Sequence, residues 1–414
     1  MTEKTTIAII GASFTGLPIA HGLLSHFHKS SSTNPIKLIL INPSPLFYWA
    51  IAAPRILTKP SAFTESQYLL PIAEGFSAYS SEEFEFVLGK ATSLNPATKS
   101  IIVESTPSSS PDTNTNPTPV TRNINYDYLI IASGSSTPAT LGLTSPKNTQ
   151  NENKNEIYPV KSLLNPQIQQ SITHAQSTIQ KAKSIIIAGA GPIGIELAGE
   201  LGDLITTRTE TPLSVTLISA TDRLLPSLKP SASKAAEDML RSLGVDVIKG
   251  RKVITATATP DPDPTKEGMV VELDNGETLT TEIYIPTTGV IPNNSYLPKE
   301  ILNEAGWVKV TPELQVEGLE SVYAAGDITH HRQKLALKVA EMVPVVVGNL
   351  IQDIISGSAG KNGKTYVEGE GVSMVVPVGE TGGTGQLFGW VPWSFLVRVV
   401  KGRDFFIGKA RGVV

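Results

Sequence analysis

A chain of 414 residues, 40% hydrophobic and 17% charged, is too long for one ordinary core and implies two or three folded units, not a disordered or fibrous polymer. Its formal net charge of −4 gives no electrostatic reason to expect nucleic acid as a partner. It has no cysteine, and its six histidines lack metal-ligand spacing; no metal site is expected, and disulfides, thiolate zinc, iron–sulfur clusters and dithiol relays are excluded.

The N-terminus runs directly into the short apolar stretch Ile7 to Ile10, too short for a signal-peptide core or a membrane span. Thr2 excludes myristoylation, and Gly412-Val413-Val414 is no peroxisomal signal, so a cytoplasmic protein is expected. From Thr5 the pattern is an apolar strand, the turn Gly11-Ala12-Ser13-Phe14-Thr15-Gly16, a helix over Leu17 to Phe27 and a second strand over Lys37 to Ile41. A glycine turn between strand and helix lets backbone N–H groups and the helix dipole meet a pyrophosphate. Here Ser13 occupies the middle glycine position, and Asn42 stands where a ribose-binding acid is expected. Tyr126 to Gly134 reads as another strand end, where small residues such as Ala132 and Gly134 let a cofactor lie against backbone. The polar inserts Ser105 to Arg122 and Thr144 to Glu156 have no apolar periodicity and are expected as surface loops.

The second unit repeats the design in full. Strand Ser184 to Ala188 leads through Gly189-Ala190-Gly191-Pro192-Ile193-Gly194 into a helix reaching Thr206, then strand Val215 to Ile218. All three glycines, Gly189, Gly191 and Gly194, are in place for a dinucleotide. Beyond that strand, Ser219-Ala220-Thr221 and Arg223 suit a 2′-phosphate, while Asp222 could turn toward a ribose, so NADPH and NADH both stay open. Pro260 to Gly268 links two strands of this unit, and Thr287-Thr288-Gly289 closes it. Val322 to Asp327 is a further strand-to-turn element ending in Gly326 and Asp327, and an apolar helix spans Leu335 to Ile355. The remainder, from about Thr365, mixes short strands with aromatics.

This order of motifs resembles that of flavoproteins with two dinucleotide-binding domains, over nearly the whole chain. The disulfide-reducing members carry a cysteine pair and the peroxide-reducing members one cysteine; this chain has neither. Phe47-Tyr48-Trp49 with Ala53-Pro54-Arg55, the run Gly194 to Leu201, and Gly385-Gln386-Leu387 through Lys401-Gly402-Arg403-Asp404-Phe405-Phe406 resemble the AMID/ferroptosis-suppressor family, which is related to apoptosis-inducing factor and type II NADH dehydrogenases. The resemblance implies an α/β protein with two Rossmann-like domains: an FAD domain (1–158 and 287–355) interrupted by an NAD(P) domain (159–286), and a small C-terminal α+β layer (356–414). It implies FAD and NADPH or NADH as cofactors. Gly11, Ser13 and Gly16 would hold the FAD pyrophosphate, and Asp327 the ribityl hydroxyls. Arg55 would lie against the flavin or its phosphates, a surface salt bridge being the plainer role. Glu196 would sit where nicotinamide meets flavin, and Lys401 would approach flavin or acceptor, with an exposed basic residue as the plainer reading.

The activity implied is hydride transfer from nicotinamide to flavin and on to a quinone-like acceptor, with Glu196 and Lys401 as proton relays. A tailoring oxidoreductase for a small aromatic or quinonoid metabolite fits the same residues, and a redox-sensing or death-signalling flavoprotein is the non-enzymatic alternative. Trp390, Trp393 and Phe395 read as a mouth for the acceptor or a face resting on a membrane; packing of this layer, or a homodimer contact, accounts for them as well.

Overall fold

The computed structural model describes residues 4–29, 35–105, 120–144, 156–163, 165–209, 211–259, 268–356 and 363–414. The three polar inserts lie almost wholly outside these residues. What brackets the first and third is described: Ser100–Ser105 pairs antiparallel with Thr121–Asn125, and Val253–Ala258 with Met269–Leu273.

Two parallel sheets organise the chain. The first runs in the order Val322–Ala324, Tyr128–Ile131, Thr5–Ile10, Ile36–Asn42, Phe84–Asn95, with the antiparallel strands Ser100–Ser105 and Thr121–Asn125 at its edge. Its inner strands are almost continuously apolar because both faces are covered: Ile7, Ile9, Leu38, Leu40 and Ile130 are all fully buried. The second sheet is parallel throughout, in the order Asp246–Ile248, Ser214–Ile218, Ser184–Ala188, Ile283–Pro286. Beside it lies the antiparallel sheet Val253–Ala258, Met269–Leu273, Thr278–Thr281, which shares a small core of Ile186, Ile218, Val271 and Tyr284 with it. The expected α/β architecture with two Rossmann-like sheets is therefore present.

Helix Ala336–Ser356 is long and apolar enough to cross a bilayer by those criteria alone. Its buried stripe of Met342, Val345, Val346 and Leu350 instead packs into the protein core. The polar residues on that stripe are satisfied there: the Tyr323 hydroxyl donates to Asp353 at 2.5 Å, and Asn349 donates to the carbonyls of Glu313 and Lys364.

The C-terminal segment forms the hairpin Met374–Val378 with Gly382–Gln386, then a short helix Ser394–Val397 continued by a wider turn over Arg398–Gly402. The hairpin presses on helix Pro192–Thr207 at Gly199, where a Cβ would meet Gly379 N at 2.4 Å. The same layer touches the first sheet's side, because Trp49 Nε1 donates to Phe405 O at 2.9 Å.

Candidate active site

The two glycine turns share one geometry. Gly11 and Gly189 have φ of 107° and 110°, which only glycine adopts without strain. A Cβ on Gly16 would stand 1.8 Å from Gly11 O, and one on Gly194 1.9 Å from Gly189 O. Gly16, Gly189 and Gly194 close the turns behind the cavity wall, while Gly11 closes its turn and also lines the cavity. Gly191 and Gly134 do the reverse, since nothing lies within 4 Å of where their side chains would be. At Gly191, the N-cap of helix Pro192–Thr207, such open backbone is what a pyrophosphate requires.

A cavity of about 650 Å³ joins both turns. Of the residues expected at the site, Gly11, Ser13, Asn42, Ala132, Gly134, Gly191, Glu196, Asp327 and Lys401 line it. Gly16, Gly189, Gly194 and Gly326 sit behind that surface as turn residues; a Cβ on Gly326 would meet Thr15 Oγ1 at 2.3 Å.

The ionisable groups in the cleft are paired. Lys401 Nζ donates to Glu196 Oε1 at 2.5 Å, bringing the wide turn of the C-terminal layer onto helix Pro192–Thr207. Burial raises the Glu196 carboxyl above the ordinary range; Lys401 opposes the shift, and Glu200, one helical turn on, adds to it. Lys161 Nζ donates to Asp327 Oδ2 and Ser135 Oγ, each at 2.6 Å, and Ser135 Oγ donates to the same carboxylate at 2.9 Å. Burial would push Asp327 up, but the charge and hydrogen bonds of Lys161 outweigh it and hold the carboxyl below its usual value. Burial lowers Lys334 to about 8. Its ammonium donates to Thr329 O at 2.5 Å and lies 3.8 Å from the centre of the Trp307 ring. Among the described residues no group of three or more His, Cys, Asp or Glu could hold a metal.

Comparison with known proteins decides the family. Residues 5–342 match the pyridine nucleotide-disulphide oxidoreductase family. The chain belongs to that family. The oxidoreductase ptaL of Pestalotiopsis fici is 34% identical over 95% of each chain, and ferroptosis suppressor protein 1 of Xenopus tropicalis is 27% identical over 99% of this chain and 95% of its own. In fold the chain is similar to the sulfide:quinone oxidoreductase of Aquifex aeolicus, with a TM-score of 0.70 at 18% identity, covering 99% and 92% of the two chains. The protein is an FAD-dependent NAD(P)H oxidoreductase, and the AMID/ferroptosis-suppressor resemblance stands. The family's disulphide chemistry has no counterpart here, because the chain contains no cysteine.

The residues present fit both cofactors of this oxidoreductase. The first turn, open backbone at Gly134 and the carboxylate of Asp327 would hold FAD; Gly191 and the N-terminus of helix Pro192–Thr207 would hold NAD(P)H.

Three expected contacts are placed otherwise. Arg55 does not line the cleft: its Nε and Nη2 donate to Glu200 at 3.0 and 2.7 Å, its Nη1 donates to Arg403 O at 2.8 Å, and it is 4% exposed. Nor is it a surface salt bridge, because Glu200 is fully buried and a buried carboxylate claims its cation. Asn42 lines the cleft, yet its Oδ1 accepts from Ala12 N at 3.0 Å and its Nδ2 donates to Ser44 O at 2.7 Å, so its amide holds the first turn in place. Arg223 lies outside the cleft, with its Nη2 on Pro226 O at 2.7 Å. Sequence reasoning missed Lys161, Ser135, Lys334 and Glu200. Only Glu200 had a signal: four residues after Glu196, it puts two carboxylates on one face of an apolar helix, and both need cations.

Proposed function

We propose that this oxidoreductase passes the electrons of NAD(P)H to a quinone-like acceptor, with Glu196 and Lys401 holding the protons such an acceptor needs. FAD, when bound, supplies the two-electron chemistry between nicotinamide and acceptor. The observation that carries the reading is the Glu196–Lys401 pair on the wall of the cleft between the two turns, in a chain without cysteine. A buried carboxyl that burial raises above its ordinary range, hydrogen-bonded to an ammonium, is placed to hand a proton to an acceptor in the cleft. Resemblance to the ferroptosis-suppressor family supports a quinone over other acceptors.

The reading extends to where the acceptor is met. Phe388 is 98% exposed, Trp393 67% and Phe395 61%, beside the exposed Arg398 and Arg403. We propose that these aromatics rest on a bilayer carrying the quinone. The test is to reduce the purified enzyme anaerobically with NAD(P)H and follow recovery of the flavin band after adding short-chain quinones, small aromatic metabolites, one-electron dyes or oxygen separately. Quinones should restore the band fastest. If they restore it no faster than oxygen does, the acceptor assignment fails.

A further inference from the structure

Two of the runs that carry the family resemblance, Phe47-Tyr48-Trp49 and Lys401 to Phe406, meet inside the molecule although 356 positions separate Trp49 from Phe405. Trp49 is 3% exposed and Phe405 fully buried, and neither lines the cleft. The indole Nε1 of Trp49 donates to Phe405 O at 2.9 Å. The same indole packs on the first glycine turn, its ring centre 5.2 Å from that of Phe14.

Phe405 is held in a backbone conformation it does not favour. Its φ is 49° and that of Phe406 is 56°, the left-handed region, which a bulky side chain keeps only where its surroundings over-determine it. Those surroundings are on hand. Phe405 N donates to Lys401 O at 2.7 Å, and Phe406 N donates to Asp404 Oδ1 at 3.0 Å. The Arg55 guanidinium stands 4.8 Å and the Lys401 ammonium 5.6 Å from the centre of the Phe405 ring. The turn thus folds the ring back onto Lys401, whose ammonium meets the Glu196 carboxylate at 2.5 Å. The carbonyl of this strained residue, in turn, is met by an indole from the far end of the chain.

We propose that Trp49 is a positioning residue for the site: its indole N–H fixes the Phe405 carbonyl, the left-handed turn there keeps the Phe405 ring beside the Lys401 ammonium, and the ammonium is thereby held on Glu196. Without that N–H the carbonyl is left unsatisfied in the interior, the turn relaxes toward an ordinary conformation, and the ring and the ammonium move with it. The inference rests on the Glu196–Lys401 pair of the function proposed above and is independent of its acceptor.

The test is an infrared titration of the FAD-loaded, full-length protein, following the band of the protonated Glu196 carboxyl, which is assigned by its absence in Glu196→Gln. Besides Lys401, that carboxyl is faced by Glu200, whose own charge is met by Arg55 and Lys59. Lys401 favours the ionised form of Glu196, so a loosened ammonium must let the band persist to higher pH. Trp49→Phe should move the midpoint up by about one pH unit, less than Lys401→Met does. In a Lys401→Met background, Trp49→Phe should move it no further. Benzothienylalanine in place of Trp49, which keeps the shape of the indole and lacks only its N–H, should reproduce the shift even where Trp49→Phe folds poorly. A midpoint unmoved by loss of the N–H, or moved as far when Lys401 is absent, would overturn the proposal. Quinones that fail to reoxidise the flavin would leave this titration as it stands, so the two proposals fall separately.

Discussion

Lys401→Met isolates Glu196 in the wall of the cleft, and its consequence is a stability loss with a defined pH dependence. The two side chains are 15% and 6% exposed and 2.5 Å apart. Removing one member of a buried pair costs about 3–5 kcal/mol when the other must keep its charge. Glu196 has an escape, because it can take a proton, so a cost near the lower end, about 3 kcal/mol at neutral pH, is expected. Burial already lifts its carboxyl above the ordinary glutamate value of 4.5, and Lys401 is the largest opposing influence. A group whose folded-state pKa is raised binds a proton on folding; its contribution is complete below the unfolded value and is lost as pH rises through the folded one. The variant should therefore track wild type at and just above pH 4.5 and fall behind it once pH passes the raised value that Glu196 has beside Lys401, by up to about 1.4 kcal/mol per pH unit.

Urea unfolding at a fixed excess of FAD across that pH range measures the gap, the excess being needed because bound cofactor adds its own stabilisation. Glu196→Gln should cost less, about 1 kcal/mol, because Lys401 retains access to water. The double variant should be more stable than the sum of the two losses predicts, by about 2 kcal/mol. A gap between Lys401→Met and wild type that is flat with pH, or strict additivity, would refute the coupling.

Arg55→Met should destabilise the fold by about 3 kcal/mol or more, and Arg55→Lys by less, since lysine keeps the charge without the fork; flavin bound per folded chain should stay at the wild-type level, measured by absorbance after denaturant titration. Gly191→Ala meets only open space, so it should leave FAD content and melting unchanged while raising the NAD(P)H concentration for half-reduction about tenfold. Lys161→Met should cost about 2 kcal/mol at neutral pH, read by urea unfolding. Asp327 is held below its usual value, so its contribution in wild type is present above the unfolded value of 3.8 and disappears as pH falls through the folded one. Trp393→Ser with Phe395→Ser should abolish co-flotation with vesicles of mixed zwitterionic and anionic lipid and leave reduction by NAD(P)H in solution unchanged; co-flotation equal to wild type would remove the bilayer contact.

What could be read in the sequence was local. Each glycine turn lies within a dozen residues of the strand and helix it joins, and apolar runs such as Ile185 to Ile187 declare strands buried on both faces. Family resemblance places Glu196 and Lys401 near the flavin one by one, but their pairing is not legible, since 205 residues separate them. Arg55 shows where local reading ends. An arginine after proline in an apolar stretch must be neutralised, but its sequence environment does not say by what, and Glu200 lies 145 positions away. Lys161 and Lys334 are equally mute, because a lysine in a connecting segment looks solvated until the fold brings Asp327 or Trp307 against it. Asn42 was legible as a departure from the pattern, but not that its amide would be turned inward onto Ala12 and Ser44.

The two carboxylates of helix Pro192–Thr207 tie these features into one assembly. Glu196 faces the cleft and is met by Lys401 from the C-terminal layer; Glu200 faces inward and is met by Arg55 and by Lys59, whose ammonium stands 3.0 Å from it. Lys59 also reaches Asp203 at 2.6 Å and Glu380 at 2.9 Å. Arg55 in turn donates to Arg403 O, two residues beyond Lys401, and its guanidinium lies 4.8 Å from the centre of the Phe405 ring. None of these cations belongs to the helix that needs them. The nucleotide-binding helix therefore cannot bury its own acids until the segment Ala53–Thr58 and the C-terminal layer close on it. The same layer carries Lys401 to the cleft, and Arg55 links the two through Arg403 O, so a variant that loosens Glu200 should disturb Lys401 without touching it.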